Sequence, residues 1–218
     1  SEHLPGESRL VPLRLQNTGN RDAAYALTSE FSEAGWSGVV VNETGAPVPM
    51  PISMGKGEAM DLQLNVTADA RAVPGTASFN LRVTCPTCSG GLFGTDVLVR
   101  NIEVPVLRAL SLTTDTDSIS GPANGQAQII YMTLLNLGND DEQYSLTLQQ
   151  SSWLLQAELL QEETPVLDAW DGEVNVGLRL PMPVGLQPGF YTATVVARSI
   201  DDNTVGQSVQ VQVQVLDT

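Results

Sequence analysis

Apolar and polar residues alternate with a period of two along most of the chain, the mark of strands with one face in a core and the other in water. Val11, Leu13 and Leu15 lead into Asn17-Thr-Gly-Asn20, and Tyr25 and Leu27 resume the alternation beyond it. Met60, Leu62, Leu64 and Val66 form a second run, and Phe79, Leu81 and Val83 a third after Pro74-Gly75. Ile130, Met132 and Leu134, then Val174 to Leu180, then Tyr191 to Ala197 repeat the pattern. The stretch Val209-Gln-Val-Gln-Val-Gln-Val215 alternates without a break, so one face is core and the other solvated glutamine. No segment sustains a helical period with caps at both ends, and the spacing predicts an all-β fold. Val97 and Val99 lie in one phase, whereas Ile102, Val104 and Val106 lie in the other. A β-bulge near Arg100-Asn101 would reconcile them.

The pattern also repeats as a whole. Asn17, Gly19 and Tyr25 recur as Asn136, Gly138 and Tyr144, each 119 positions on. Trp36 then matches Trp153 at an offset of 117, and Pro74-Gly75 matches Pro188-Gly189 at 114. A fixed period of this kind means two copies of one structural unit, and its drift means loops of unequal length. Asn17-Thr-Gly-Asn20 and Asn136-Leu-Gly-Asn139 read as turns, because Gly and Asn tolerate positive φ and Asn bonds its own backbone. Trp36 and Trp153 read as one plug per unit between two sheets, with Tyr25 and Tyr144 beside them. Trp170 has no counterpart and is the candidate exposed contact residue. The boundary falls near residue 108, giving units over 1–108 and 109–218 with a short, stiff connection. The second unit's opening strand, Ala109 to Thr114, has no counterpart within the first, so the first unit reads as lacking its initial strand. Either that strand was trimmed away or a neighbouring subunit supplies it by donor-strand exchange.

An apolar strand, Asn-x-Gly-Asn, Tyr-x-Leu, a Trp, an alternating strand and then Pro-Gly resembles the CARDB-type domains. It is also similar to the immunoglobulin-like modules of secreted glycosidases and of bacterial and archaeal surface proteins. The resemblance spans nearly the whole chain twice. It implies two tandem immunoglobulin-like β-sandwich domains with roles in adhesion, spacing or surface assembly, and no catalytic residues to carry over.

Composition narrows the partners. The formal net charge is −15, with Lys56 the lone lysine beside nine arginines, so a phosphate backbone or an anionic membrane surface would be repelled. Nucleic acid is excluded as a partner on this ground. No run of eighteen apolar residues exists for a membrane span, and the first residues lack the pattern of a signal peptide. A secreted or cell-surface fragment of a longer protein is the reading.

Candidate chemistry is sparse. Cys85 and Cys88 form Cys-Pro-Thr-Cys, which lacks the helix start that redox chemistry needs and the four ligands that zinc needs. A local disulfide beside the hairpin loop Ser89 to Gly94 fits, in an oxidising compartment. His3, the one histidine, is a poor general base in a terminal tail, and the scattered Asp and Glu do not form a glycosidase pair. The chain is therefore read as no enzyme. Calcium is the candidate ligand, through Asp115 and Asp117 at the unit junction and Asp140 and Asp141 in a turn, although Ser120 and Gln126 break an EF-hand pattern. Asn42 and Asn65 head the glycosylation pattern Asn-x-Thr, and Asn65 alternates with inward residues, so it faces solvent. The functional expectation is a non-catalytic spacer or adhesive segment of a larger exported protein, whose partners are its own neighbouring domains or copies of itself. Its rivals are a subunit of a surface filament and an accessory module touching carbohydrate through Trp170.

Overall fold

In the computed structural model the residues described are 2–88 and 97–217. The chain forms two compact units, Ser1–Pro105 and Val106–Thr218. Each is an immunoglobulin-like β-sandwich with its own core, and the only helix among the described residues is a single 3-10 turn at Trp153–Leu155.

The first unit has strands β1 (Ser8–Gln16), β2 (Ala23–Phe31), β3 (Ser37–Val41), β4 (Ile52–Met54), β5 (Ala59–Thr67), β6 (Gly75–Thr84) and β7 (Val97–Val104). One sheet has the order β1-β5-β3 and the other β4-β2-β6-β7. Alternation places Leu62, Leu64 and Val66 of β5 inward, where they meet Phe79 and Leu81 of β6 across the sandwich core. The loop 89–96, where the disulfide's hairpin was expected, lies outside the described residues.

Strand β7 corrects one expectation. Its register against β6 is one-to-one from Gly75↔Val104 to Arg82↔Val97, with no bulge at Arg100-Asn101. Leu98 shares the inward phase of Ile102 and Val104, and Val99 is exposed. The cost of the uninterrupted register is that Arg100 also falls in the inward phase.

The second unit has β8 (Leu110–Thr114), β9 (Ser118–Pro122), β10 (Gln128–Asn136), β11 (Tyr144–Gln150), β12 (Glu158–Leu159), β13 (Glu173–Leu180), β14 (Gly189–Ser199) and β15 (Gly206–Leu216). Its sheets are β12-β13-β10-β8 and β11-β14-β15-β9. β8 covers one edge of β10 antiparallel, and the chain then crosses to the other sheet, where β9 runs parallel to β15. Val211, Val213 and Val215 of β15 are buried and its glutamines face water.

Paired registers equate the units strand by strand. β10 corresponds to β1, β13 to β5, β14 to β6 and β15 to β7. Both β6 and β14 begin on a glycine held at positive φ, Gly75 at 140° and Gly189 at 154°, where a side chain would strain the backbone. Among the described residues of the first unit β1 stands at the sheet edge, the position that β8 covers in the second.

Candidate functional site

The most organised polar cluster in each unit is built around one asparagine, and the two clusters match atom for atom. Asn17 and Asn136 are fully buried at the ends of β1 and β10. The Asn136 side-chain amide donates to the carbonyls of Asp140 (2.9 Å), Asp168 (3.1 Å) and Leu167 (3.2 Å). Its Oδ1 accepts from the Gly138 amide at 2.9 Å and from the Tyr144 hydroxyl at 2.9 Å. Asn17 donates in the same way to Arg21 (2.9 Å), Gly55 (3.0 Å) and Met54 (3.3 Å), and accepts from Gly19 at 3.0 Å and Tyr25 at 2.8 Å. The amide thus ties a turn, a second loop and a strand of the opposite sheet together. A buried polar group so fully satisfied fixes one arrangement of chain. The sequence shows these residues as a turn and a neighbouring aromatic; their union in one hydrogen-bonded knot was signalled only by the repeated Asn-to-Tyr spacing of eight.

The aromatic plug is not shared. Trp36 is buried in the first core, near Phe31 and His3. Trp153 is 76% exposed on the 3-10 turn. Val40 pairs with Leu64 and Leu159 with Leu178, and Leu64 and Leu178 are equivalent positions. That places Leu155, fully buried, where Trp36 stands, so the offset of 119 continues and the apparent match at 117 is a near miss by two residues. Trp170, expected as the exposed contact, is half-buried instead, at φ 73°, with its amide donating to the Gly138 carbonyl at 2.8 Å. His3 is not in a free tail. It is 1% exposed against Trp36, neither ring nitrogen has a hydrogen-bond partner, and burial, with Arg9 second, lowers its pKa.

The acidic residues named for calcium are not brought together. Asp115 and Asp117 follow β8 inside the second unit rather than at the junction, while Asp140 and Asp141 follow the far end of β10. Five strand residues separate those ends, about 17 Å at the usual rise, so one ion cannot take ligands from both pairs. Asp141 accepts from the Ala169 amide at 3.0 Å and Asp117 from the Ser118 hydroxyl at 3.2 Å, the work of turn acids. A tighter ion pair joins Arg108 to the buried Glu142 at 2.7 Å and to Asp201 at 3.3 Å. Burial works against the Arg108 charge, but the two carboxylates outweigh it and its pKa is raised.

Cys85 and Cys88 are disulfide-bonded with Cα atoms 5.4 Å apart, and the turn they close presents the Thr87 hydroxyl to the Ala24 amide at 2.9 Å. Asn42 is exposed, its Oδ1 held by Thr44 and Ala46, whereas Asn65 is half-buried on the outward face of β5, the central strand of its sheet.

Two concavities of the first unit stand out. A groove of about 510 Å³ at one end of the sandwich is lined by Trp36, Glu33, Asp69 and Arg71. There the Asp69 carboxylate caps its own turn, accepting from the Arg71 amide at 2.6 Å, and the Thr76 hydroxyl donates to the Glu103 carboxylate at 3.1 Å. A second groove, of about 310 Å³, runs beside β1 and is walled by Leu13, Leu15, Leu27, Leu81, Val83 and Leu98, with Arg14 and Arg100 at its rim.

No family model matches the chain, and no curated protein does. Among solved structures, it is similar to domains 4 and 5 of the S-layer protein SbsC, at 14% identity and TM-score 0.35, over 85% of this chain and 79% of that one. The D00-D0 domain of intimin is similar at 13% identity and TM-score 0.33, over 94% of this chain and 100% of that one. Red sea bream transglutaminase is similar at 15% identity and TM-score 0.31, over 97% of this chain and 30% of that one.

Proposed function

We propose that the chain is a non-catalytic structural segment, a spacer or adhesive stalk, of a larger secreted or cell-surface protein. The observation that carries this reading is where the polar side chains are spent. Apart from His3, the buried polar residues Asn17, Asn136, Asn139, Glu142, Thr164 and Ser199 each bond the backbone or a neighbouring side chain of their own unit. Polar groups arranged for catalysis would instead converge on a cleft with their reactive atoms free. The Cys85–Cys88 disulfide fits an oxidising compartment. Antibody labelling of intact cells that make the parent protein tests the location: label on unbroken cells is expected, and label only after lysis contradicts it.

A second reading, contact with carbohydrate, is favoured by the bare indole of Trp153, beside Leu154 at 43% exposure. Glycan-array binding that is lost in Trp153→Ala and kept in Trp170→Ala would support it. A chain that gives no saturable signal on the array would end it.

A further inference from the structure

The apolar groove beside β1 has an internal template, because the second unit shows what fills the same place. There β8 pairs with β10 from Leu110↔Asn136 to Thr114↔Met132, and Leu112 lies 2% exposed between the sheets. Beneath it Met132 and Leu134 are fully buried. The equivalent residues of β1 are Leu13, only partly buried, and Leu15, 8% exposed.

Three details of β1 match the arrival of such a strand. The Asn17 amide donates toward β5, to the Glu58 carbonyl, so by alternation the amides of Arg14 and Gln16 point to the open edge. Pro12, which has no amide to offer, takes the place of Tyr131, one residue past the last position that pairs with β8. In the second unit Asn139 clamps the incoming chain, accepting from the Leu107 amide at 2.6 Å and donating its own amide to the Leu107 carbonyl at 3.0 Å. Its counterpart Asn20 is exposed.

Direction is given as well. Glu2 pairs in parallel with Glu103, and His3 donates to the Glu103 carbonyl at 2.9 Å, just as Ser120 pairs with Gln214 in the second unit. The first residues thus occupy the place of β9, which β8 precedes by the three-residue link Asp115 to Asp117.

We propose that the groove between β1 and β7 is the seat of an extended strand of β8 chemistry, apolar at alternate positions, which enters from the N-terminal side of residue 1 and pairs antiparallel with Leu13 to Asn17. Arg14 at the rim is ion-paired to Asp61 at 3.3 Å, which leaves Arg100 as the rim charge facing the arriving strand. Arg100 shares the phase of the fully buried Val211 but is itself exposed. The proposal concerns a docking edge and stands independently of where in the cell the protein works.

The test duplicates Ala109–Ser118 in front of residue 1 and compares three chains: the original, the extended chain, and an extension in which the copies of Leu110 and Leu112 are aspartate. Amide exchange by NMR and sedimentation over a concentration series are the readouts. The leucine extension is expected to slow exchange at Arg14 and Gln16 about tenfold or more and to raise the first unit's melting point by about 5 °C, with the aspartate extension and the original alike and all three monomeric. Equal exchange in all three chains overturns the proposal. So does an original chain that dimerises and protects those amides itself, which would assign the groove to a second copy.

Discussion

The buried asparagine is the residue on which each unit turns. Asn136→Asp keeps the shape but sets a carboxylate against three carbonyls; it is expected to cost about 3 kcal/mol or more in urea unfolding, against about 1 kcal/mol for Tyr144→Phe, which removes the hydroxyl's bond to Asn136 and its longer contact with the Ala109 carbonyl. Asn17→Asp and Tyr25→Phe should reproduce the pair in the first unit. The residues of this knot were legible in the sequence through their repetition, but their burial was not, because Asn-x-Gly-Asn reads equally as an exposed turn. Trp153 shows the converse. Its match to Trp36 by residue type was persuasive, and only strand pairing reveals that Leu155 holds the position. His3 is a further residue that its place in the sequence disguised. With its pKa lowered mainly by burial, it is held neutral in the folded chain and titrates near 6.5 when unfolded. Its stabilising contribution is therefore present above pH 6.5 and lost as pH falls through the lower folded value. Thermal midpoints from pH 7.5 to 5 should drop more steeply in the original chain than in His3→Phe; parallel curves would contradict this.

At the scale of elements, the strands were legible because each carries its own alternation, and the Pro-Gly starts of β6 and β14 mark where they begin. Gly75→Ala and Gly189→Ala, at positive φ with open space around them, are expected to cost about 1 kcal/mol or more each through backbone strain alone, measurable by denaturant midpoint. The bulge expected in β7 failed because alternation was read through Val97 and Val99, whereas Leu98 carries the core phase and a charged residue, Arg100, interrupts it. A polar residue at an inward position is illegible without knowing that the neighbouring strand's place is open. The approach to β8 depends on Arg108, which neutralises the buried Glu142. Arg108→Met should destabilise the second unit by about 3 kcal/mol, and adding Glu142→Leu should recover most of that loss, since the penalty lies in the stranded charge. Chemical denaturation of the two variants checks it.

At the scale of the molecule, duplication decided the architecture before any strand was placed, and the second unit supplies the standard by which the first is understood. The knot and the paired central strands are common to both. The covering strand on β1 is not, and that difference turns a sandwich edge into a docking site. The calcium candidates lie apart at this same scale: sequence proximity put Asp115 and Asp117 at a junction, and the fold carries them past Met132, midway along β10, away from Asp140 and Asp141 beyond its Asn136 end. The whole account rests on two units that each close their own core around their own asparagine. Residue-resolved hydrogen exchange of Asn17→Asp beside the original chain tests this most directly. Exchange should quicken from Ser8 to Val104 and stay unchanged from Leu110 to Leu216; quickening spread evenly through both stretches would contradict it.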